Sequence, residues 1–515
     1  MRSTTRILRS EWLLLGVLLL GAAVLLFTRL DAAYLWQDEA ETAVVSRNVL
    51  RFGYPRAFDG IHLLHLPFAT HRPGFVWVFH GWIQFYLTAA SFLLFGITTW
   101  AARAPFALLG LGSIVLTWRM AKTFVGDRQV AGLTTFLLAT SVPFLLHMRQ
   151  CRYYAPMVVF SLCALLAYWR WLARARFSGW SWLISMLLAF HSAWTASVML
   201  LLGMAGHWWF SSGRAMRRGR ETLPWVIAFS VLATAWMLYA HALEHGTHNL
   251  LRDLWRNSSF YVKMINSYTV PLGLILAALI IPRCRRMPQA PVPDATRSAL
   301  HLLGWVIGAC LLVLLPARQH FYRYLLIIVP LLYLLTAWGL LRWLGHRPIA
   351  LAATVLVMVA TDVLHRPDRL LHGTSRLFLA DYVYELTHDV PDSTRGIVEF
   401  LNAHAAPGET VKIRYSIAPL VFYTSLRVDT RSAAFFEHTY PDWIVMQQEL
   451  MPQHSYTEPY FSDIITHYEL IHTAIPDHLW GHAPDPFLHR FRPVTDWPGV
   501  VIFHKRATHQ PTHAR

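Results

Sequence analysis

The sequence predicts an α-helical polytopic membrane protein of about 11 spans, followed by a small C-terminal α/β domain. Three observations carry that reading. Of 515 residues, 55% are hydrophobic and only 14% charged, whereas a soluble domain carries about a quarter charged residues. Apolar runs of roughly 17–22 residues recur, and each can cross about 30 Å of hydrocarbon at 1.5 Å per residue. The basic residues fall between these runs rather than on one face.

The first run, "WLLLGVLLLGAAVLLFTRL" from Trp12 to Leu30, is almost free of charge. It exceeds the usual signal-peptide core of about 7–15 residues and more spans follow it, so it reads as an uncleaved anchor. Further spans are predicted at 101–121, 129–147, 155–173, 179–194, 196–210, 223–243, 267–282, 299–316, 324–341 and 348–364. Between them lie "WRMAKTFVGDR", "RWLARAR", "SSGRAMRRGRE", "RCRRMPQ" and "RWLGHR". Together with the N-terminal "RSTTRILR", these tracts place the N-terminus in the cytoplasm and the C-terminus outside by the positive-inside rule.

One apolar stretch resists that count. Gly74 to Gly96 is long enough to span, but counting it would turn "RWLARAR" and "RAMRRGR" outward. It is therefore predicted as an interfacial helix, with Trp77, Trp82, Phe85 and Tyr86 at headgroup level. Residues 31–100 then form a long first outer loop within a membrane module at 1–364. In that loop Ala43, Val44, Val49 and Leu50 recur at helical spacing and Gly53 supplies a stop. Asp38 stands at the N-terminal end of this helix, where free N–H groups and the helix dipole favour a carboxylate.

Beyond 365 the long apolar runs cease. "GIVEFLNAHA" predicts a helix, and "ETVKIRYS", "DWIVMQ", "YELIHTAI" and "GVVIFHK" predict strands separated by Pro and Gly. Residues 365–515 thus form the α/β domain, on the periplasmic side. The net charge of +16 does not indicate nucleic acid, because no single basic face or aromatic-interleaved patch collects it. The four Cys show neither CxxC spacing nor a disulfide framework.

Ionisable residues at a membrane surface are functional candidates because burying them without partners is costly. On the predicted outer face they gather in four places. Asp38 and Glu39 follow the first span, and His71 and Arg72 precede the interfacial helix. "HMRQCRYYAP" brings Arg149, Arg152, Tyr153 and Tyr154, and "RQHFYRYLL" brings Arg318, His320, Arg323 and Tyr324. Bland readings stand beside these: Asp38 as a helix cap, Arg72 snorkelling to headgroups, Arg152 stacked on tyrosines, Arg323 as an interface anchor. His478 and His482 stand four apart, but Pro476 and Gly481 interrupt any helix and make a poor metal pair. A divalent metal is left open, and no cofactor is assigned.

The order of an acidic pair after the first span, a basic-Pro motif, an Arg…Tyr loop and a late "RYLL…P" segment resembles the GT-C glycosyltransferases. It is most similar to bacterial relatives of the protein O-mannosyltransferases and lipid A aminoarabinose transferases. The resemblance covers about 1–340, with the tail matching a periplasmic domain that many members carry. It implies inverting transfer of a sugar from a polyprenyl phosphate to a lipid, glycan or protein acceptor at the outer face of the inner membrane. It further implies Asp38 as the base, supported by Glu39, and Arg72, Arg152 and Arg323 as phosphate ligands beside His71. Relatives carry Asp where this chain has Tyr153 and Tyr154, which leaves an altered acceptor or an inactive relative open. The rival from another class is a transporter or flippase, which would carry charges near span centres and paired repeats; neither is evident here.

Overall fold

The computed structural model describes residues 2–64, 71–211, 219–240, 250–273, 275–276, 291–430, 440–447, 464, 466–478, 481–493 and 497–506. Helix α1 (Arg2–Phe27) leads by a short turn into α2 (Gln37–Phe52). A two-stranded hairpin follows, β1 (His71–Arg72) and β2 (Val76–Trp77), then α3 (Ile83–Phe95). The bundle continues with α4 (Thr99–Phe124), α5 (Arg128–Ala139), α6 (Val142–Met148), α7 (Tyr154–Leu172), α8 (Ser178–Ser192), α9 (Trp194–Phe210) and α10 (Gly219–Ala240). After α11 (Leu250–Tyr268) come α12 (Asp294–Leu314), α13 (Val329–Leu344) and α14 (Pro348–Ala360).

The chain is a multi-span membrane protein. Among the described residues, four helices are long and apolar enough to cross a membrane: Thr99–Phe124, Tyr154–Leu172, Glu221–Ala240 and Asp294–Leu314. Helices α5 and α6 together make a fifth, bent by 64° at a break. Glu11–Phe27, Val329–Leu344 and Pro348–Ala360 are shorter apolar helices. The segment predicted at 267–282 begins where α11 ends and runs partly outside the described residues. Helix α11 itself was invisible to a search for long apolar runs, because it mixes charged and apolar residues ("LLRDLWRNSSFYVKMINSY").

The interfacial stretch is shorter than its composition predicts. Its helix is confined to Ile83–Phe95, about 20 Å long. Pro73, Gly74 at φ 79 and the hairpin occupy the rest. Gly81 lies so close to the end of α8 that a Cβ there would sit 1.9 Å from the His191 carbonyl oxygen. Trp77 and Phe85 are fully buried rather than at headgroup level, while Leu93, Leu94 and Phe95 face outward.

In the C-terminal part, α15 (Pro367–Leu371), α16 (Phe378–Thr387) and α17 (Ser393–His404) precede a five-stranded sheet. Its strands are β3 (Thr410–Ile413), β4 (Arg427–Val428), β5 (Trp443–Met446), β6 (Tyr468–Pro476) and β7 (Gly499–Lys505), with α18 (Ile417–Tyr423) between β3 and β4. The strand order is β4-β3-β5-β7-β6. Strands β4 and β5 run parallel to β3, and β7 runs antiparallel to both β5 and β6. The four longer strands coincide with the predicted ones. Strand β4, two residues long, gave no alternation to read.

This sheet is fastened to the bundle through α18. Tyr423 stacks on Tyr34 at 4.2 Å, and its hydroxyl accepts the Leu35 N–H at 3.0 Å and shares a 2.6 Å bond with Thr99. The Ala418 N–H donates to Gln37 Oε1 at 3.1 Å, and the Tyr34 N–H donates to Asp392 Oδ2 at 2.7 Å. The Tyr382 hydroxyl donates to the Leu25 carbonyl at 2.8 Å.

Close helix packing gives a test of the bundle. At Gly203 in α9 an added Cβ would come 2.6 Å from the Val306 Cα of α12, the kind of approach that only small residues permit. Gly203→Ala is expected to force the two helices apart and lower stability by about 1–3 kcal/mol, read as a reduced unfolding midpoint in detergent.

Candidate functional site

Helix α2 begins at Gln37 after Trp36 in extended backbone, and no side chain caps it. Asp38 stands in the first turn at the N-terminal end, as predicted, and the bland reading of it as a helix cap fails; its side chain reaches across the pocket. Gly53 closes the other end in the left-handed conformation, as predicted, with its N–H on the Val49 carbonyl at 2.8 Å. Asp38 and Glu41, three residues apart, share a face, whereas Glu39 is turned by about 100° per residue to another.

Glu39 is 0% exposed. Arg103 of α4 grips it in two places, Nε to Oε1 at 2.8 Å and Nη2 to Oε2 at 2.6 Å. The Cys151 N–H adds a bond of 2.8 Å to Oε1. Arg103 spends its other N–H groups on the carbonyls of Leu30, Ala33 and Tyr34. Every polar atom of this buried pair is thus occupied, and both oxygens of Glu39 point away from the residues around Asp38. The pair ties α2, α4, the end of α1 and the 149–152 loop together.

On the other face the predicted residues converge. Asp38 Oδ2 lies 3.4 Å from Arg152 Nη2 and 3.3 Å from Arg323 Nη1. Arg152 also donates to Glu41 Oε1 at 3.0 Å and to the Asp38 carbonyl at 2.9 Å. Arg323 lies 3.4 Å from the Tyr154 hydroxyl and stacks over Phe321 at 4.0 Å. Tyr153 lies under the Arg152 guanidinium at 5.7 Å. The Nε atoms of Arg152 and Arg323 are buried with no hydrogen-bond partner among the described residues. Arg149 stands apart, on the carbonyls of Leu25, Thr28 and Arg29.

Two predicted residues stay outside this group. Arg72 donates from Nε to the Tyr239 carbonyl at 2.8 Å, and the His71 ring lies against Phe75 at 5.5 Å. Both belong to the hairpin, paired with Val76 and Trp77, and Arg72 there meets Tyr239 of α10. Four further residues join the cluster unannounced: Glu41, His80, Tyr415 and Asp485. Glu41 had a readable signal, its i,i+3 spacing from Asp38. Arg103 had one too, as a charge near the outer end of an apolar span that required a partner. His80, Tyr415 and Asp485 had none.

Charge in the pocket follows from burial. Glu41 is pushed up to about 7 by desolvation, against the pull of Arg152 and with Asp38 adding to the rise. Burial, then Arg152 and Arg323, hold His80 well below the ordinary imidazole value. His80 is therefore neutral, and its Nε2 accepts from Arg152 at 3.2 Å. Burial also raises Tyr415 and Asp485. Arg152 stays charged: burial opposes its charge, but Asp38 and Glu41 outweigh it. Two guanidiniums thus face the Asp38 carboxyl group and a Glu41 pushed up to about 7, which leaves the pocket attractive to an anion. A dication fits poorly where guanidiniums bridge the carboxylates, and no group of three metal-capable side chains is found among the described residues.

Residues 80–241 match the family model described as dolichyl-phosphate-mannose-protein mannosyltransferase. The whole chain superposes on ArnT from Cupriavidus metallidurans. Its apo structure gives a TM-score of 0.55 at 15% identity, covering 98% of both chains. The structure bound to undecaprenyl phosphate gives 0.53 at 15% identity, covering 95% of this chain and 97% of that one. The fold is that of ArnT. No curated protein sequence matches the chain. At that identity the likeness speaks for architecture alone.

Two outcomes separate the faces of α2. Glu39→Gln leaves Arg103 buried without a counter-charge and is expected to cost about 3–5 kcal/mol of stability, seen as a lower melting temperature. Glu41 is protonated below its pKa of about 7 and gains a negative charge as pH rises through it. Affinity for an anionic lipid phosphate is expected to fall over that interval in the native chain. Glu41→Gln should lose this component of the pH dependence in a binding titration from pH 6 to pH 8.5, a window of about two units around the shifted value.

Proposed function

We propose that the chain is an integral membrane glycosyltransferase, moving a sugar from a polyprenyl-phosphate donor to an acceptor at the outer face of the inner membrane, with inversion. The observation that carries this reading is the meeting of Asp38 Oδ2 with Arg152 and Arg323 at 3.4 and 3.3 Å. A carboxylate and two arginines from three separate segments supply the parts the reaction needs.

The acceptor hydroxyl gives its proton to Asp38 as its oxygen bonds to the anomeric carbon. The bond from that carbon to the phosphate oxygen breaks, and the electron pair leaves with the polyprenyl phosphate. Arg152 and Arg323 take the growing charge on the phosphate through charge-assisted hydrogen bonds. Their buried Nε–H groups, without a partner among the described residues, add donors. The leaving group needs no proton from the protein, so one carboxylate suffices. The Tyr153 and Tyr154 rings wall the pocket where relatives carry Asp, and Tyr154 steadies Arg323. Glu39 braces the helix, and His71 and Arg72 have no step in this scheme. The acceptor is a lipid, a glycan or a protein, and the C-terminal domain faces the periplasm.

A transporter or flippase would use these charges differently, moving lipid without breaking a covalent bond. Asp38→Asn distinguishes the readings. In membranes given a polyprenyl-phosphate sugar, sugar transfer is expected to fall by at least about a hundredfold, while the variant still folds as judged by its circular dichroism. Undiminished transfer in the variant would refute Asp38 as the base. Lipid movement without sugar transfer in the native protein would favour the transporter.

A further inference from the structure

The turn at 485–489 reaches the arginine cluster from the far end of the chain. Asp485 is 3% exposed, and its Oδ1 accepts the backbone N–H of Tyr322 at 3.2 Å. Tyr322 opens the short 3-10 helix Tyr322–Leu325, which carries Arg323. Phe321 before it is extended, and its own side chain gives no cap. The acceptor that starts this helical turn is thus borrowed from 163 residues downstream.

Asp485 is itself held firmly. Its carbonyl accepts the N–H groups of Leu488 at 2.9 Å and His489 at 3.0 Å. His489 bonds to the Ala483 carbonyl at 2.9 Å and to Glu385 Oε2 of α16 at 2.8 Å. Phe487 meets Phe260 of α11 edge-on at 5.9 Å. The turn is bolted to two helices and so makes a fixed post for the 322–325 backbone. A guanidinium sits on a long, rotamer-rich stem, and its aim depends on where its Cα is anchored.

We propose that Asp485 is a positioning residue of the transfer reaction, holding the Tyr322–Leu325 backbone so that Arg323 faces both Asp38 and the donor phosphate. This rests on the reading under Proposed function. Asp485 acts through Arg323 and not as a second base, since it is closed off from solvent and already engaged by a backbone N–H. The C-terminal domain then supplies a working part of the donor site.

The test uses the full-length protein in detergent with undecaprenyl phosphate as the probe. Asp485→Ala is expected to weaken binding about tenfold. Asp485→Asn keeps an oxygen that accepts the Tyr322 N–H and should stay within about threefold. Arg323→Ala combined with Asp485→Ala should bind no more weakly than Arg323→Ala alone, because both act through one guanidinium. Additive losses in that double variant overturn the proposal, as does an Asn variant as weak as Ala. If Asp485→Ala does not fold, Asp485→Glu replaces it. The longer side chain keeps the charge but displaces the backbone, so tight binding by the Glu variant also overturns the proposal. Loss on Arg323→Ala with none on Asp485→Ala removes this inference and leaves the donor reading standing. No binding by the native protein, or native affinity in Arg323→Ala, removes both.

Discussion

Of three carboxylates within four positions of α2, Glu39 and Glu41 are buried and Asp38 is half-buried, and each finds a guanidinium from another part of the chain. That matching is the constraint on which the rest of the site depends. Burying an uncompensated charge costs several kcal/mol, so α2 can occupy its place only when α4, the 149–152 loop and the 322–325 turn arrive together. Arg103 is consumed by the fold, with every donor on a fixed acceptor. Arg152 and Arg323 each keep an N–H that is unmatched among the described residues. The difference between a brace and a binding group lies in that remainder.

Sequence alone made the gathering of Asp38, Arg152, Arg323 and the tyrosines readable, because charged residues at the ends of apolar spans have few places to go. Periodicity likewise marked the stop of α2 at Gly53 and the burial of Ala43, Val44 and Val49, although Leu50 faces outward. What it missed has physical causes. Whether Glu39 or Glu41 shares the face of Asp38 depends on where the helix begins, and a boundary error of one residue rotates each side chain by about 100°. Arg72 was assigned by the resemblance of its basic-Pro motif, but the hairpin of His71 to Trp77 turns it toward Tyr239. His80, Tyr415 and Asp485 are joined to Asp38 only by tertiary folding. Their place was unreadable because the bend at Gly81 and the turn after β3 follow from packing, not from a local pattern.

That second turn is instructive. Strand β3 ends at Ile413 and α18 begins at Ile417, with Ser416 at φ 65 between them. A non-glycine residue in the left-handed region costs about a kcal/mol or more and persists where surroundings fix it. Here the reversal sets Tyr415 against the arginine cluster, while α18 locks to Tyr34 and Thr99 through Tyr423. The sheet and the bundle are one folding problem, although their compositions differ sharply.

The 64° break between α5 and α6 has a further consequence. Tyr333 reaches across from α13 to the Ser141 hydroxyl at 2.9 Å just past the break, and α6 then sets off in a new direction. A continuous helix would have carried residues 142–148 straight on. The bent one lays His147 between the rings of Tyr154 and Tyr322, at 5.2 and 5.7 Å, as a floor under the chamber. The floor is thus set by a joint buried inside the protein. A residue inserted or removed near Thr140 would raise or lower the floor without touching any polar group above it.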